Sequence, residues 1–190
     1  MENVTAIILA GGKSRRMGSD KGLMKINGKP MVQYIIDELE SLNIPVIIVS
    51  NNPQYKIFGI PVFEDSIKNK GPMAGIYTGL LHSNTEKNVV LSCDVPKISA
   101  KLIKQLVDNA NNSEVSILKH GDSLHPLIGI YRRSALIDLK NHLDNDRLKM
   151  KQFCIDRGCT LLEISDDNTE FDAEGILNIN TKQQLEQLQK

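Results

Sequence analysis

Ala6-Ile7-Ile8-Leu9-Ala10-Gly11-Gly12-Lys13-Ser14-Arg15-Arg16-Met17-Gly18-Ser19-Asp20-Lys21 carries the fold in its first part and candidate chemistry in the rest. Residues 6–10 are apolar without interruption and of strand length. That pattern belongs to a strand covered on both faces of a parallel sheet. The run stops at Gly11-Gly12, where glycines let the backbone approach a ligand and turn its N–H groups toward phosphate oxygens. Arg15, Arg16 and Lys21 add positive charge suited to a polyphosphate. The spacing is neither GxGxxG nor GxxxxGK[ST], so the dinucleotide and P-loop readings fail. A tight turn with solvated cations is the plainer alternative. Three cations following a strand-terminal glycine pair favour phosphate binding.

Outward from this stretch the chain repeats strand, loop and helix. Val32, Ile35, Ile36, Leu39 and Leu42 follow helical spacing, with Pro30 suited to the first turn. Residues 45–49 and 60–63 read as strands, and 73–81 as a helix of small residues opened by Gly71-Pro72. A further apolar strand over 88–93 ends at Asp94, and Ser99 caps the helix that carries Leu102, Ile103, Leu106 and Val107. Strands over 115–118 and 127–131 flank the turn residues Gly121-Asp122. Helices over 135–143 and 150–157 follow, the second stopped by Gly158. Strands over 160–164 and 176–179 precede a last helix capped by Thr181, with Leu185 and Leu188 on its apolar side. No linker or repeat divides residues 1–190, so the expectation is one three-layer α/β domain with a mostly parallel, mixed central sheet. Ligands of such sheets bind outside the carboxyl ends of the strands. That rule gathers Gly11-Gly12, Ser50-Asn51-Asn52 and Asp94 on one edge.

Composition narrows the partners. The 190 residues hold 23 basic and 23 acidic side chains, for a formal net charge of zero. Such a balance lacks the field of a non-specific nucleic-acid or membrane binder. No apolar run reaches the ~20 residues of a membrane span. The first residues lack the basic region of a signal peptide, and Cys93, Cys154 and Cys159 form no CxxC. A cytoplasmic protein with reduced thiols is expected. Cys154 and Cys159 have no third or fourth soft ligand nearby in sequence, which disfavours structural zinc.

The glycine-rich loop, continuing through Gly22-Leu23-Met24 and Asn27-Gly28-Lys29-Pro30, closely resembles the signature of molybdenum cofactor guanylyltransferases (molybdopterin guanylyltransferases). These form part of the wider superfamily that activates sugars and pterins with nucleoside triphosphates. Glu64-Asp65-Ser66, Gly71-Pro72-Met73-Ala74-Gly75, Cys93-Asp94-Val95-Pro96, His125-Pro126 and Asn178-Ile179-Asn180-Thr181 resemble the family's later landmarks, in the same order. Two positions depart from it. Ser50 stands where the family often has asparagine, which moves the expected contact to Asn51 or Asn52, and Lys182 replaces the proline usual after the threonine.

The resemblance implies a Rossmann-like nucleotidyltransferase fold that moves GMP from GTP to molybdopterin with Mg²⁺ as cofactor. Nucleotide contacts are expected from Leu9, Ala10, Gly11, Gly12, Lys13, Ser14, Lys21, Asn51, Asp65 and Asp94. Arg15, Lys21 and Asp94 are the expected catalytic residues. Asp94 is also the expected metal ligand, since a strand-end carboxylate can hold one Mg²⁺ on a triphosphate; by residue type alone it would be a turn cap. Transient contacts with proteins that deliver and receive the cofactor also follow, without nucleic acid or membrane. The rivals are a cytidylyltransferase or sugar-phosphate enzyme, which look like having alanine where Gly11 or Gly12 stands, and a catalytically silent guanine-nucleotide binder. His125 reads as structural or solvated more readily than as a contact to the second substrate.

Overall fold

A computed structural model describes residues 3–11, 20–110, 112–164, 173–179 and 181–187. Strand β1 (Val4–Leu9) leads to the hairpin β2 (Lys25–Ile26) and β3 (Lys29–Pro30), helix α1 (Met31–Ser41), and strands β4 (Val46–Val49) and β5 (Val62–Phe63). Helix α2 (Pro72–His82), β6 (Lys87–Ser92), α3 (Ala100–Asn109), β7 (Val115–His120) and β8 (Ser123–Arg132) follow. The chain continues through α4 (Leu136–Asp144), α5 (Met150–Asp156), β9 (Thr160–Ile164) and α6 (Lys182–Gln187).

The main sheet runs β5-β4-β1-β6-β8-β7-β9. Every pairing is parallel except the two made by β8, which runs against both β6 and β7. The turn at Gly121-Asp122 gives β8 its reversed direction, because a hairpin joins antiparallel neighbours. The sheet is therefore mostly parallel and mixed, with helices on both faces.

Strand alternation divides β1 between two cores. Val4, Ala6 and Ile8 join Val32, Ile35, Leu39, Ile103 and Leu106 under α1 and α3. Ile7 and Leu9 join Ile76, Leu80, Leu139 and Phe153 under α2, α4 and α5. Ile7 and Ile8 are fully buried on opposite faces, and covering side chains of this size contributes roughly 1.5–3 kcal/mol each. Helix α2 approaches β1 so closely that a Cβ on Gly79 would lie 2.4 Å from Ile7 Cγ2. Only glycine lets that helix settle at this depth.

Local signals acted as the sequence suggested at most element ends. Ser99 accepts from the Leu102 N–H at 3.2 Å, and Gly158 turns the chain at φ 59° after α5. Thr181 Oγ1 accepts from the Gln184 N–H at 3.1 Å, while Gln184 Oε1 accepts from the Thr181 N–H at 3.0 Å. That reciprocal arrangement is a capping box one residue before α6. Leu188 lies outside the described residues. Pro30 stands just ahead of α1 with extended backbone at ψ 142° rather than inside its first turn.

The strand expected over 176–179 is a correction. Residues Ala173–Ile176 form a 3₁₀ turn, and 177–179 join no strand. Ile176 and Ile179 are both buried but three residues apart, a spacing that suits a turn and not the two-residue period of a strand. The Ile179 N–H donates instead to the Asp94 carbonyl at 2.8 Å. Among the described residues no helix is long and apolar enough to cross a membrane.

Candidate active site at the carboxyl edge of the sheet

Parallel β4, β1 and β6 all end on one edge, where ladder-like hydrogen bonds continue past the strands. The Ala10 N–H donates to Val49 O at 2.9 Å, and the Cys93 N–H to Leu9 O at 3.0 Å. Ser50 is buried and turned inward, donating from Oγ to Ala10 O at 2.6 Å and accepting from the Asn52 N–H at 3.1 Å. Its hydroxyl is committed to the backbone of the glycine-bearing turn.

The neighbouring asparagines divide their work. Asn51 is exposed and pairs twice with Asp65, donating Nδ2 to Oδ2 at 2.8 Å and accepting the Asp65 N–H at 3.1 Å. Two residues expected at the nucleotide are thus brought together across β4 and β5. Burial raises the Asp65 carboxyl above its ordinary value, with the Asn51 hydrogen bond opposing that rise. Leu9 lies beside them: a Cβ on Gly75 would meet Leu9 Cδ2 at 3.1 Å and Asp65 Oδ1 at 3.7 Å. The Gly71-Pro72-Met73-Ala74-Gly75 stretch therefore backs the Leu9–Asp65 region with small residues.

Asn52 serves a group that sequence reasoning missed. Its Nδ2 donates to Asp20 Oδ2 at 3.1 Å, and the Tyr55 hydroxyl donates to Asp20 Oδ1 at 2.5 Å. Asp20 Oδ1 also accepts from the Gly22 N–H at 3.3 Å, capping the short turn Lys21–Leu23. Burial, with the nearby Cys93 and Asp20, pushes the Tyr55 hydroxyl well above its ordinary value, so it stays protonated as a donor. The fit at this seam is tight, since a Cβ on Gly22 would lie 2.3 Å from Tyr55 Oη. Asp20 immediately before a 3₁₀ turn was the available signal; its partners on the far side of β4 were not visible locally.

Lys21 leaves this anchored turn and donates from Nζ to Asp94 Oδ2 at 3.4 Å. A well-formed ammonium–carboxylate hydrogen bond is nearer 2.8 Å, so the pair is loosely joined. Asp94 stands two residues beyond β6, its side chain 15% exposed, and its Oδ1 is buried with no hydrogen-bond partner among the described residues. Leaving such an oxygen unsatisfied costs roughly 1–3 kcal/mol, more when it is charged. A turn cap would have spent that oxygen on a backbone N–H. Asp94 Oδ1 shows no such bond among the described residues. Among the described residues, no group of three or more His, Cys, Asp or Glu could hold a metal.

Cys93 beside it is buried, and burial followed by the charges of Asp94 and Asp20 pushes its thiol up to about 12, which leaves it unreactive. His125, on β8 at the same edge, has a buried Nε2 without a partner among the described residues. Its burial, then His120 and Lys151, lower its proton affinity. Gly12, Lys13, Ser14, Arg15 and Arg16 lie outside the described residues. Leu9, Ala10, Gly11, Asn51, Asp65, Lys21 and Asp94 lie along the edge where β5, β4, β1 and β6 end.

The family model described as MobA-like NTP transferase domain matches residues 6–155. A protein of Flavobacterium johnsoniae named "Probable molybdenum cofactor guanylyltransferase" is 34% identical over 189 residues, covering 99% of this chain and 97% of the relative. The molybdenum cofactor guanylyltransferase of Yersinia pestis is 37% identical over 155 residues, 80% of each chain. Among solved structures, molybdopterin-guanine dinucleotide biosynthesis protein A from Archaeoglobus fulgidus matches with a TM-score of 0.79 at 22% identity, over 97% of this chain and 96% of that one. This last likeness concerns the fold alone.

Proposed function

The chain belongs to the family of MobA-like NTP transferase domains, and from that premise we propose that it transfers GMP from GTP to molybdopterin, releasing diphosphate and forming the guanine dinucleotide cofactor. The reading treats residues 1–190 as one nucleotidyltransferase domain working in the cytoplasm, with transient contacts to the proteins that supply and receive the pterin. The single observation that carries it is the buried oxygen of Asp94, beside Lys21 at the carboxyl edge, that has no hydrogen-bond partner among the described residues.

The donor set fits Mg²⁺. This ion takes one or two protein carboxylates and fills its remaining positions with water and substrate phosphates, so one open carboxylate oxygen suffices. When bound, the ion would neutralise charge on the triphosphate. The chain's own residues do the remaining work. An ionised phosphate of the acceptor attacks the α-phosphorus of GTP; the bond to the bridging oxygen breaks and diphosphate leaves. Such a nucleophile needs no general base, and catalysis rests on positioning and charge neutralisation. Lys21, fixed by the Asp20 anchor, is poised to neutralise the departing phosphates, a role shared with Arg15 and the loop over Gly11, Gly12, Lys13 and Ser14. Leu9, Ala10, Asn51 and Asp65 would hold the nucleoside.

Two measurements test this reading. Mixing protein, GTP, Mg²⁺ and molybdopterin should release diphosphate in proportion to dinucleotide formed. GTP should raise the melting temperature above the effects of CTP, UTP and ATP, since ligand at about 100 times its Kd stabilises the native state by roughly 2.7 kcal/mol. Equal stabilisation by CTP would overturn the guanine assignment and leave the transferase class standing. No diphosphate release with any nucleotide would overturn the class.

A further inference from the structure

Two of the three thiols meet at the opposite end of the molecule's polar chemistry, on the turn that closes α5. Gly158 adopts a left-handed conformation and brings the chain back, so that the Cys159 N–H donates to Cys154 O at 3.0 Å. This closure of the helix end sets the side chains of residues 154 and 159 on the same side of the turn. Their surroundings differ: Cys154 is buried against Phe153, Leu139 and Tyr131, whereas Cys159 is partly exposed. Arg157 lies between them in sequence, held by Glu114 and Asp138.

We propose that Cys154 and Cys159 are an oxidisable dithiol, which hydrogen peroxide converts to an intramolecular disulfide. Cys159 is the attacking group. The hydrogen bond from Cys154, followed by the Arg157 charge, favours its thiolate against the cost of partial burial. Thiolate character and access together select which cysteine meets an oxidant first. The Cys159 sulfur attacks one peroxide oxygen; an S–O bond forms, the O–O bond breaks, and the departing oxygen leaves as water after taking a proton. Cys154 then attacks the sulfenic sulfur, forming the S–S bond and expelling the hydroxyl as a second water with the Cys154 proton. Two thiols are oxidised and one hydroperoxide is reduced.

The order of events is built into the pair. Cys154 is held above its ordinary value first by its hydrogen bond to Cys159 and then by burial. Once Cys159 is a neutral sulfenic acid, its negative charge no longer opposes ionisation of Cys154, which can then resolve it. Soft-metal binding is the competing use of two close thiols, but among the described residues no third or fourth donor joins them. Cys93, buried away from solvent, supplies an internal control.

The test is thiol titration of the denatured protein after a brief exposure to dilute hydrogen peroxide, with peptide mapping. Wild type should fall from three titratable thiols to one, the survivor being Cys93, and dithiothreitol should restore all three. Cys154→Ser should trap a sulfenic acid at position 159 that a dimedone probe captures. Cys159→Ser should keep both remaining thiols reduced. Melting curves on each variant verify that the native fold was the species oxidised. Three thiols surviving in folded wild type, a bridge involving Cys93, or a disulfide between two molecules on a non-reducing gel would each overturn the proposal.

Discussion

Strands β1 and β6 carry a polar cluster at each end, and the two clusters are built on opposite terms. At the amino end Asn88, fully buried, pairs in register with Thr5 and Tyr131. Its Nδ2 donates to Tyr131 O and Thr85 O, each at 3.2 Å, and its Oδ1 accepts from the Ser83 hydroxyl. Thr85 in turn donates to Thr5 Oγ1 at 2.9 Å. Asn88 thus has both its oxygen and its amide nitrogen satisfied. At the carboxyl end Asp94 has one oxygen loosely held by Lys21 and the other unpartnered among the described residues. A complete buried network adds rigidity, while an incomplete one costs stability and persists where a ligand completes it. The same sheet therefore holds its satisfied and its unsatisfied polar cluster apart by the five residues Val89 to Cys93, about 20 Å of extended chain.

The sharpest way to break this contrast is Asp94→Asn. Turnover should fall by about two orders of magnitude or more, because the charge that complements the metal and phosphates is lost. The melting temperature should hold or rise, since a charge with an unsatisfied oxygen has been removed from a half-dry site. A stability loss of about 1 kcal/mol with chemistry intact would make Asp94 a turn cap after all. Asn88→Ala is the reciprocal experiment. It removes the amide's bonds to the Tyr131 and Thr85 carbonyls and to the Ser83 hydroxyl, so denaturant unfolding should show a loss of about 2 kcal/mol, while the folded fraction keeps its turnover per molecule. Lys21→Ala should reduce kcat/KM roughly tenfold with a share in both KM and kcat, because an ammonium on phosphate acts in ground and transition states alike. An effect on stability alone would return Lys21 to the structural cluster. Tyr55→Phe should be the smallest change, about 1 kcal/mol of stability from one lost hydroxyl donor, and its readout is the urea midpoint at unchanged m-value.

The sequence revealed these clusters unequally. The strand-end rule brought Gly11, Asn51 and Asp94 to one edge because uninterrupted apolar runs mark buried parallel strands directly. Pairings depended on topology and stayed hidden: Asp20 meets Tyr55 across 35 residues, and Lys21 meets Asp94 across 73. Asn88 looked like one polar residue at the start of an apolar run, with no local sign that the loop before it and two neighbouring strands converge on it. The misread segment 176–179 shows the limit of short apolar runs, where a three-residue and a two-residue spacing cannot be told apart before the partner surface is known.

The double footing of the glycine-rich stretch makes its two ends depend on one strand. Ala10 is pinned by Val49 and Ser50 at one foot, and Asp20 by Tyr55 and Asn52 at the other. Both feet draw these bonds from β4 and the turn after it. A substitution that disturbed that one strand would therefore loosen both feet together, as a single loose bolt frees both ends of a clamp.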